Sequence, residues 1–195
     1  MVTLKYHHLF SPIRLGNVTL RNRIIASPTG GPAIMPPQYI TRETAAFWEL
    51  RAKGGAAVVT LGDNVVDSET GLMHPHKMRI DDPGIIPSLT NTARYITQYG
   101  AVASLELQHG GKFANVENMV SKLMRSDTLP AYGPDHEFNA DGEEILEMPE
   151  EIIERIVRKF GEGAAVAKKC GYGMITIHGG HGWLLHQFLS PSMNH

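Results

Sequence analysis

Four short apolar runs recur along the chain, and each ends in polar, glycine-rich sequence. They cover residues 23–26, 56–61, 101–107 and 174–177. Near-continuous hydrophobic character over so few residues is typical of strands buried on both faces, as in a parallel sheet. We therefore expect four parallel strands, each followed by a loop that carries polar side chains.

Helical patterns separate these runs. A first helix is predicted from Thr41, an N-cap residue, to Gly54-Gly55, and a second over 88–99. A third begins at Pro149 and carries one apolar stripe, which we expect to lie in the core: Ile153, Ile156, Val157, Phe160, Ala164 and Ala167. The resulting order, βαβαβαβ, predicts a parallel sheet covered by helices.

Three segments fall outside this repeat. Residues 9–13 and 15–20 are predicted to be two extended pieces joined by a turn at Gly16-Asn17. The stretch from 113 to 147 is rich in Gly, Pro and Asp and is predicted to be a long loop, a kind of segment that is usually functional or disordered. The apolar residues after the last strand are expected in the core: Trp183, Leu184, Leu185, Phe188 and Leu189.

Two architectures fit this order, a barrel and a doubly wound sheet. No G-x-G-x-x-G follows the first strand and no G-x-x-x-x-G-K-[ST] occurs, so dinucleotide and P-loop interpretations lose their main support. A (β/α)8 TIM barrel typically takes about 250 residues. We expect an α/β fold in which residues 1–195 form the first four β/α units of a single TIM-barrel domain, truncated at its C-terminus.

Composition excludes several classes of function. Eighteen basic and twenty acidic residues give a net charge of −2, which offers no electrostatic case for nucleic acid or an anionic membrane as partner. No window is apolar for the length of a bilayer span, and the N-terminus lacks the apolar core of a signal peptide. Cys170 is the single cysteine, which excludes an intrachain disulfide. We expect a cytoplasmic protein whose partner is a small-molecule substrate.

The polar strand exits hold the candidate chemistry, because ligands of parallel α/β folds bind at the carboxyl ends of the strands. The last strand ends in His178 and His181, separated by two glycines. A zinc site shared with His186 is an alternative, but no carboxylate stands at a metal-like interval and no H-E-x-x-H occurs. No metal site is therefore predicted, and His74-Pro75-His76 is interpreted as a solvated loop.

Three segments resemble the old yellow enzyme family of FMN-dependent oxidoreductases: LFSPIRLGNVTLRNRIIASP, LELQHGGK and IHGGHGWLLHQFLSPSMNH. They are most similar to its branch of NADH:flavin oxidoreductases with 2,4-dienoyl-CoA reductase, 2-enoate reductase and bile-acid-inducible oxidoreductases. The resemblance covers the whole chain at matched spacing. It implies an FMN-binding TIM barrel with NAD(P)H as electron donor, and, in a longer parent, a 4Fe-4S cluster and FAD.

The resemblance also implies which residues bind the cofactor. Glu106 stands where the family often has a flavin-binding glutamine, although a strand residue paired with a neighbouring Lys or Arg is an equal alternative for it. Gly30 stands where many members have a Thr or Cys that tunes the flavin potential. The cofactor-binding set implied by the resemblance is Ser27, Pro28, Thr29, Gly30, Gly62 and Glu106.

The implied reaction reduces the C=C bond of an α,β-unsaturated carbonyl compound, such as an enoate, an enoyl-CoA or a 3-oxo steroid, or forms it in reverse. His178 and His181 match the catalytic pair that hydrogen-bonds the substrate carbonyl oxygen, with the role of an oxyanion hole. Trp183 stands in the substrate site at the position of the family's proton-donating tyrosine. An indole N–H is not a general acid at neutral pH, so the proton is expected from residues 110–148, His181 or solvent.

Other classes of function stay open. Half a barrel leaves an open edge strand, so the chain is alternatively a catalytically silent fragment or a half-barrel that associates with itself, and we expect a homo-oligomer. A metal-dependent TIM-barrel hydrolase is a further alternative. Bound flavin or bound metal would distinguish these possibilities.

Overall fold

The structure is a computed structural model of the chain that describes residues 5–30, 39–73, 77–114, 130–140 and 142–195. None of its helices is both long and apolar enough to cross a membrane. In chain order the elements are α1 His7–Phe10, β1 Ile13–Leu15, β2 Val18–Leu20, β3 Ile25–Thr29, α2 Arg42–Lys53, β4 Val58–Val65, α3 Ser68–Gly71, β5 Met78–Arg79, α4 Ile86–Thr97, β6 Val102–Gln108, β7 Ala131–Gly133, β8 Glu137–Phe138, β9 Glu144–Glu147, α5 Glu150–Lys169, β10 Met174–Ile177 and α6 Leu184–Leu189.

Four parallel strands form the central sheet, in the order β3–β4–β6–β10. The connections that contain α2, α4 and α5 separate successive strands. Short β5 pairs with the end of β4. Because each new strand is added on the same side, the order never reverses as it does in a doubly wound sheet, and the arrangement is that of a barrel. The predicted βαβαβαβ order is confirmed.

Strand β6 shows how the sequence separates the core from the interior of the sheet. Leu105 and Leu107 are fully buried in the main hydrophobic core beneath the helices. Successive strand residues point to opposite faces, so Ser104 and Glu106 lie on the other side. The Ser104 hydroxyl lies 3.1 Å from that of Thr176 on β10, and Glu106 comes near the end of the strand.

The N-terminal hairpin covers the amino ends of the strands. Strands β1 and β2 pair antiparallel across a turn at Gly16, whose φ is +54°, which confirms the predicted pair of extended pieces over these residues. Buried Leu20 packs there against the first residues of three strands: Val58, Val102 and Met174. With that end covered, the carboxyl ends remain available for a site.

Sequence-based expectations differ from the structure in two segments. Leu9 and Phe10 belong to the short helix α1 instead of an extended piece. Part of the expected long loop is ordered, because β7, β8 and β9 form a separate three-stranded sheet in the order β7–β9–β8. Residues 115–129 of that loop lie outside the described residues.

The predicted apolar stripes are only partly in the core. Ile156, Ala167 and Leu184 are buried, but Val157 is 66% exposed and Leu189 is 77% exposed. Val157 lies in an open apolar groove between α5 and α6, where the described part of the chain places no further element over it. The core prediction is therefore wrong for these two exposed residues.

A buried polar network connects the loops that follow β4 and β6. His109 Nδ1 accepts a hydrogen bond from the Gly111 N–H at 3.0 Å, so its proton lies on Nε2, 2.9 Å from Thr70 Oγ1. Thr70 donates to Asp67 at 3.0 Å, and Arg155 pairs with the same carboxylate. Burial, assisted by the charge of Arg155, lowers the pKa of His109 to about 3.

We predict that His109 makes the fold sensitive to acid. Its pKa falls from 6.5 to about 3 on folding, so the stability that the neutral ring contributes is present above pH 6.5 and is lost as the pH falls towards 3. His109→Gln should lower the pH slope of the unfolding free energy between about pH 6 and pH 4 by about 1.4 kcal/mol per pH unit. Urea unfolding of the full-length protein measures this slope.

His136→Gln is the matched control, because His136 is an exposed histidine outside the network. This variant should keep the slope of the parent protein. An equal slope in the parent and in His109→Gln would show that His109 does not cause the acid sensitivity.

Candidate functional site

The carboxyl ends of β3, β4, β6 and β10 surround an open cavity of about 260 Å³, which we call the strand-end cleft. This is the end of a parallel sheet at which ligands bind. All but two of its residues, Asp63 and Lys77, are among those that the sequence assigns to cofactor or substrate. The cleft is lined by Pro28, Thr29, Gly30, Asp63, Lys77, Glu106, His178, His181 and Trp183.

His178 and His181 form a hydrogen-bonded pair in the cleft. The His178 N–H donates to the Leu107 carbonyl at 3.0 Å, which continues the β6–β10 pairing one residue beyond the strand. The Gly180 N–H donates to His178 Nδ1 at 3.4 Å, so His178 carries its proton on Nε2. That Nε2–H donates to His181 Nδ1 at 3.1 Å. His181 then also carries its proton on Nε2, and this is the one N–H of the pair that is free for a ligand, because the His178 N–H is already donated to His181.

Electrostatics keep the His178 ring neutral. Burial lowers the pKa of His178, and the charge of nearby His181 lowers it further, while Asp63 opposes the shift. A neutral imidazole donates a hydrogen bond to a carbonyl oxygen while keeping its proton. His178 is therefore suited to polarise a carbonyl group that replaces His181 as the acceptor of its N–H.

Trp183 forms a wall of the cleft beside the histidine pair. Its ring meets His178 edge-on with 6.4 Å between centroids, and it meets Phe113 in the same way at 5.9 Å. Gln187, fully buried one turn into α6, donates to the Gly110 carbonyl at 3.0 Å. This hydrogen bond ties the segment that follows β10 to the exit of β6 and so fixes the position of the indole.

Glu106 lies at the base of the cleft and is 6% exposed. Its Oε2 accepts a hydrogen bond from the Asp63 N–H at 3.2 Å, and its Oε1 lies 3.8 Å from His178 Nδ1. Burial raises the pKa of the Glu106 carboxyl, the Asp63 amide opposes that rise, and the Asp63 charge adds to it. The alternative interpretation expected a Lys or Arg partner, but none of the described Lys or Arg residues forms an ion pair with Glu106, and the neutral His178 ring is a polar contact and not a salt-bridge partner.

Asp63 and Lys77 are the cleft residues that sequence analysis missed. Lys77 Nζ lies 2.5 Å from Asp63 Oδ2, and each side chain is about a quarter exposed. A Cβ atom placed on Gly30 would lie 3.0 Å from the same Asp63 oxygen, so the lack of a side chain at position 30 leaves space for the carboxylate. The polar residues after the apolar run 56–61 are a signal that points to Asp63, whereas no sequence pattern identifies Lys77.

Backbone strain is concentrated in the cleft. Among the described residues, the non-glycine residues with a left-handed backbone are Asp63, with φ of 66°, and His181, with φ of 54°. Such conformations cost on the order of 1–3 kcal/mol each and cluster at functional sites. At Asp63 the strain coincides with a register shift in β4, where the Asp63 N–H donates to Glu106.

Two predicted cofactor residues lie away from the cleft lining. Ser27 is exposed on β3. A Cβ atom on Gly62 would come within 2.7 Å of the Thr29 backbone nitrogen, so Gly62 allows β3 and β4 to approach each other. For both residues the expected flavin contact stays a prediction.

The zinc alternative gains no support from the geometry. Among the described residues, no three His, Cys, Asp or Glu side chains gather in an arrangement that could hold a metal ion. His186, the third expected ligand, accepts a hydrogen bond from the Gly182 N–H through its Nδ1. His74 and His76 lie outside the described residues.

Comparison with curated proteins finds relatives that are named as dehydrogenases, oxidases and reductases. An NADPH dehydrogenase of Listeria monocytogenes is 30% identical over 187 residues, which are 95% of this chain and 52% of the relative. A metal reductase of Desulforamulus reducens is also 30% identical, over 95% of this chain and 26% of the relative. The chain therefore spans about half, or less, of the length of these relatives.

Solved structures show the same fold. The old yellow enzyme from Pichia superposes with a TM-score of 0.84 at 23% identity, over 96% of this chain and 50% of that one. A 2-naphthoyl-CoA reductase superposes with a TM-score of 0.85 at 20% identity, over 97% of this chain and 30% of that one. These likenesses confirm the predicted fold, a partial TIM barrel.

The sequence model of one family matches almost the entire chain. The match covers residues 8–195, and the family is described as the NADH:flavin oxidoreductase / NADH oxidase family. It agrees with the old yellow enzyme resemblance that the three sequence segments indicate. This chain belongs to the NADH:flavin oxidoreductase / NADH oxidase family.

Proposed function

We propose that this chain forms the first half of the barrel of an FMN-dependent oxidoreductase. The enzyme reduces the C=C bond of an α,β-unsaturated carbonyl compound, such as an enoate, an enoyl-CoA or a 3-oxo steroid, with electrons from NAD(P)H, or forms that bond in reverse. The observation that carries this proposal is the hydrogen-bonded His178–His181 pair in the strand-end cleft. Family membership supports it.

The cleft has a donor set that fits a flavin ring. The pyrimidine edge of a flavin presents an N–H donor between carbonyl acceptors. Glu106 can accept from that donor as a carboxylate, and its raised pKa favours the protonated form, which can donate to a carbonyl. Pro28, Thr29 and Gly30 line the same cavity. When bound, FMN supplies the hydride transfer, and the protein orients the substrate and stabilises charge.

His178 and His181 bind the substrate carbonyl oxygen in this proposal. Both rings carry a proton on Nε2. The His181 N–H is free for the oxygen on which negative charge develops during reduction, and the His178 N–H becomes available to that oxygen when the ligand replaces His181 as its acceptor. The neutral state of His178, which burial favours, lets it donate without losing its proton. Fixed donors of this kind stabilise the transition state more than the ground state.

Several broader features of the enzyme are also proposals. We expect a cytoplasmic homo-oligomer. Strands β3 and β10 are the edges of the described sheet, and their Ile25 and Ile177 are half exposed, so in a whole barrel these edges would pair with strands of the second half. The same edges support self-association if the half-barrel exists alone. An iron–sulfur cluster held by cysteines needs four thiolates, and this sequence has one cysteine. The expected 4Fe-4S cluster and FAD therefore concern only a longer parent.

We predict that His178→Ala combined with His181→Ala leaves FMN bound but slows alkene reduction. Loss of one oxyanion donor typically costs about 10²–10³-fold in kcat, so the double variant should be slower by at least about 100-fold. Visible absorption of the purified full-length protein measures bound flavin, and oxidation of NAD(P)H in the presence of an enone measures turnover.

His136→Ala is the control, since this exposed histidine lies on the small β7–β9 sheet outside the cleft. Unchanged turnover in the double variant would remove the carbonyl-binding role. A full-length protein that binds metal stoichiometrically and lacks flavin absorption would instead favour the hydrolase alternative.

We predict that Glu106→Gln retains FMN. A glutamine amide offers an acceptor and donors in the same place and does not depend on the protonation that the buried carboxyl requires. Flavin affinity measured by fluorescence titration of the apoprotein should therefore be equal or tighter, and it should change less between about pH 5 and pH 8. Loss of flavin from this variant would show that a carboxylate is specifically required.

A further inference from the structure

Reduction of a C=C bond needs an acid as well as a carbonyl-binding pair. One alkene carbon receives a hydride and the other receives a proton, so a proton donor must reach the substrate within the cleft. His178 and His181 are assigned to the carbonyl oxygen, and the Trp183 indole is not an acid at neutral pH. Among the residues that the structure describes, the remaining ionisable side chains of the cleft are Asp63, Lys77 and Glu106.

Lys77 is the best placed of these three. Glu106 lies deepest and is almost fully buried, which separates it from solvent and slows its reprotonation. Asp63 accepts from Lys77 at 2.5 Å and therefore acts as the negative partner of the pair. The Lys77 ammonium has three N–H donors, its bond to Asp63 uses one, and the group is about a quarter exposed, so water can return a proton to it.

Two hydrogen bonds and one longer polar approach lie between Lys77 and the carbonyl-binding pair. Lys77 contacts Asp63, the Asp63 N–H donates to Glu106 at 3.2 Å, and Glu106 lies 3.8 Å from His178. The left-handed backbone of Asp63 directs its carboxylate to the cavity. Glycine at position 30 leaves the space that this carboxylate occupies. The geometry therefore holds an ammonium group at the cleft at the cost of backbone strain.

We propose that Lys77, positioned by Asp63, is the catalytic residue that protonates the α-carbon of the α,β-unsaturated carbonyl substrate. The inference rests on the proposed function. A hydride, whose two electrons derive from the reduced nicotinamide and which bound FMN would deliver, forms a C–H bond at the β-carbon while the C=C electrons shift towards the carbonyl oxygen. The α-carbon then takes a proton from Lys77, whose N–H bond breaks, and water reprotonates the resulting amine.

The test uses the flavin-loaded full-length protein with Lys77→Arg and Lys77→Met. The protein is reduced anaerobically with NADH and then mixed rapidly with an acceptor, and flavin absorption reports reoxidation. We expect both variants to be reoxidised by 2-cyclohexenone at least about 100-fold more slowly than the parent, because a general acid contributes about 10²–10⁴-fold and arginine cannot be deprotonated in proteins. Reoxidation by ferricyanide, which needs no protonation of carbon, should stay unchanged.

Two further readouts separate acid catalysis from binding. Equilibrium dialysis of 2-cyclohexenone against the oxidised protein should give the same Kd in the parent and in Lys77→Arg. Added methylamine should restore part of the enone rate to Lys77→Ala, since the free ammonium replaces the missing donor. Lys159→Met is the control, because Lys159 is a similarly exposed lysine paired with Glu162 outside the cleft.

Each other outcome would overturn the inference. If Lys77→Met reacted more slowly with cinnamate but not with 2-cyclohexenone, and Lys77→Arg kept the parent rate with cinnamate, Lys77 would bind a substrate carboxylate through its charge. Equal enone rates in the parent and both variants would remove Lys77 from catalysis while leaving the proposed function intact. A flavin-loaded parent that 2-cyclohexenone does not reoxidise would contradict the proposed function itself.

Discussion

Backbone pairing between four parallel strands determines where the cleft side chains on or directly after those strands lie. The hydrogen bond from the His178 N–H to the Leu107 carbonyl extends that pairing one residue beyond β10, to His178 itself. The alternation of side chains along β6 sends Leu105 and Leu107 to the helices and Glu106 to the interior. Because the N-terminal hairpin covers the amino ends of the strands, a ligand can bind only at their carboxyl ends.

The sequence was sufficient to predict the features that local patterns encode. Continuous apolar runs identified the four strands, and the capping hydroxyl of Thr41, which accepts from the Thr44 N–H, marked the start of α2. Polar residues at strand exits meet at one edge of any parallel sheet, so His178 and His181 could be placed in a site there before the structure was known, whereas Glu106 was assigned to it only by the family resemblance. These predictions depend on short-range periodicity and on one topological rule.

What the sequence did not reveal depends on contacts between distant segments. Lys77 belongs to the cleft because it reaches Asp63 on β4, and the left-handed backbone of Asp63 follows from a shift in strand register. The small β7–β9 sheet arises from pairing within a segment whose composition suggests a loop. Val157 has the pattern of a core residue but lies exposed, since periodicity predicts an apolar face without specifying what covers it.

The close approach of position 30 to the Asp63 carboxylate couples two sites in separate strands. A side chain introduced at position 30 would meet an oxygen that is already held by Lys77, so its effect depends on the residue at position 63. Mutational effects at these positions should therefore be epistatic. Libraries intended to alter this cleft would have to vary positions 30, 63 and 77 together, because single-site scanning would classify each one as intolerant on its own.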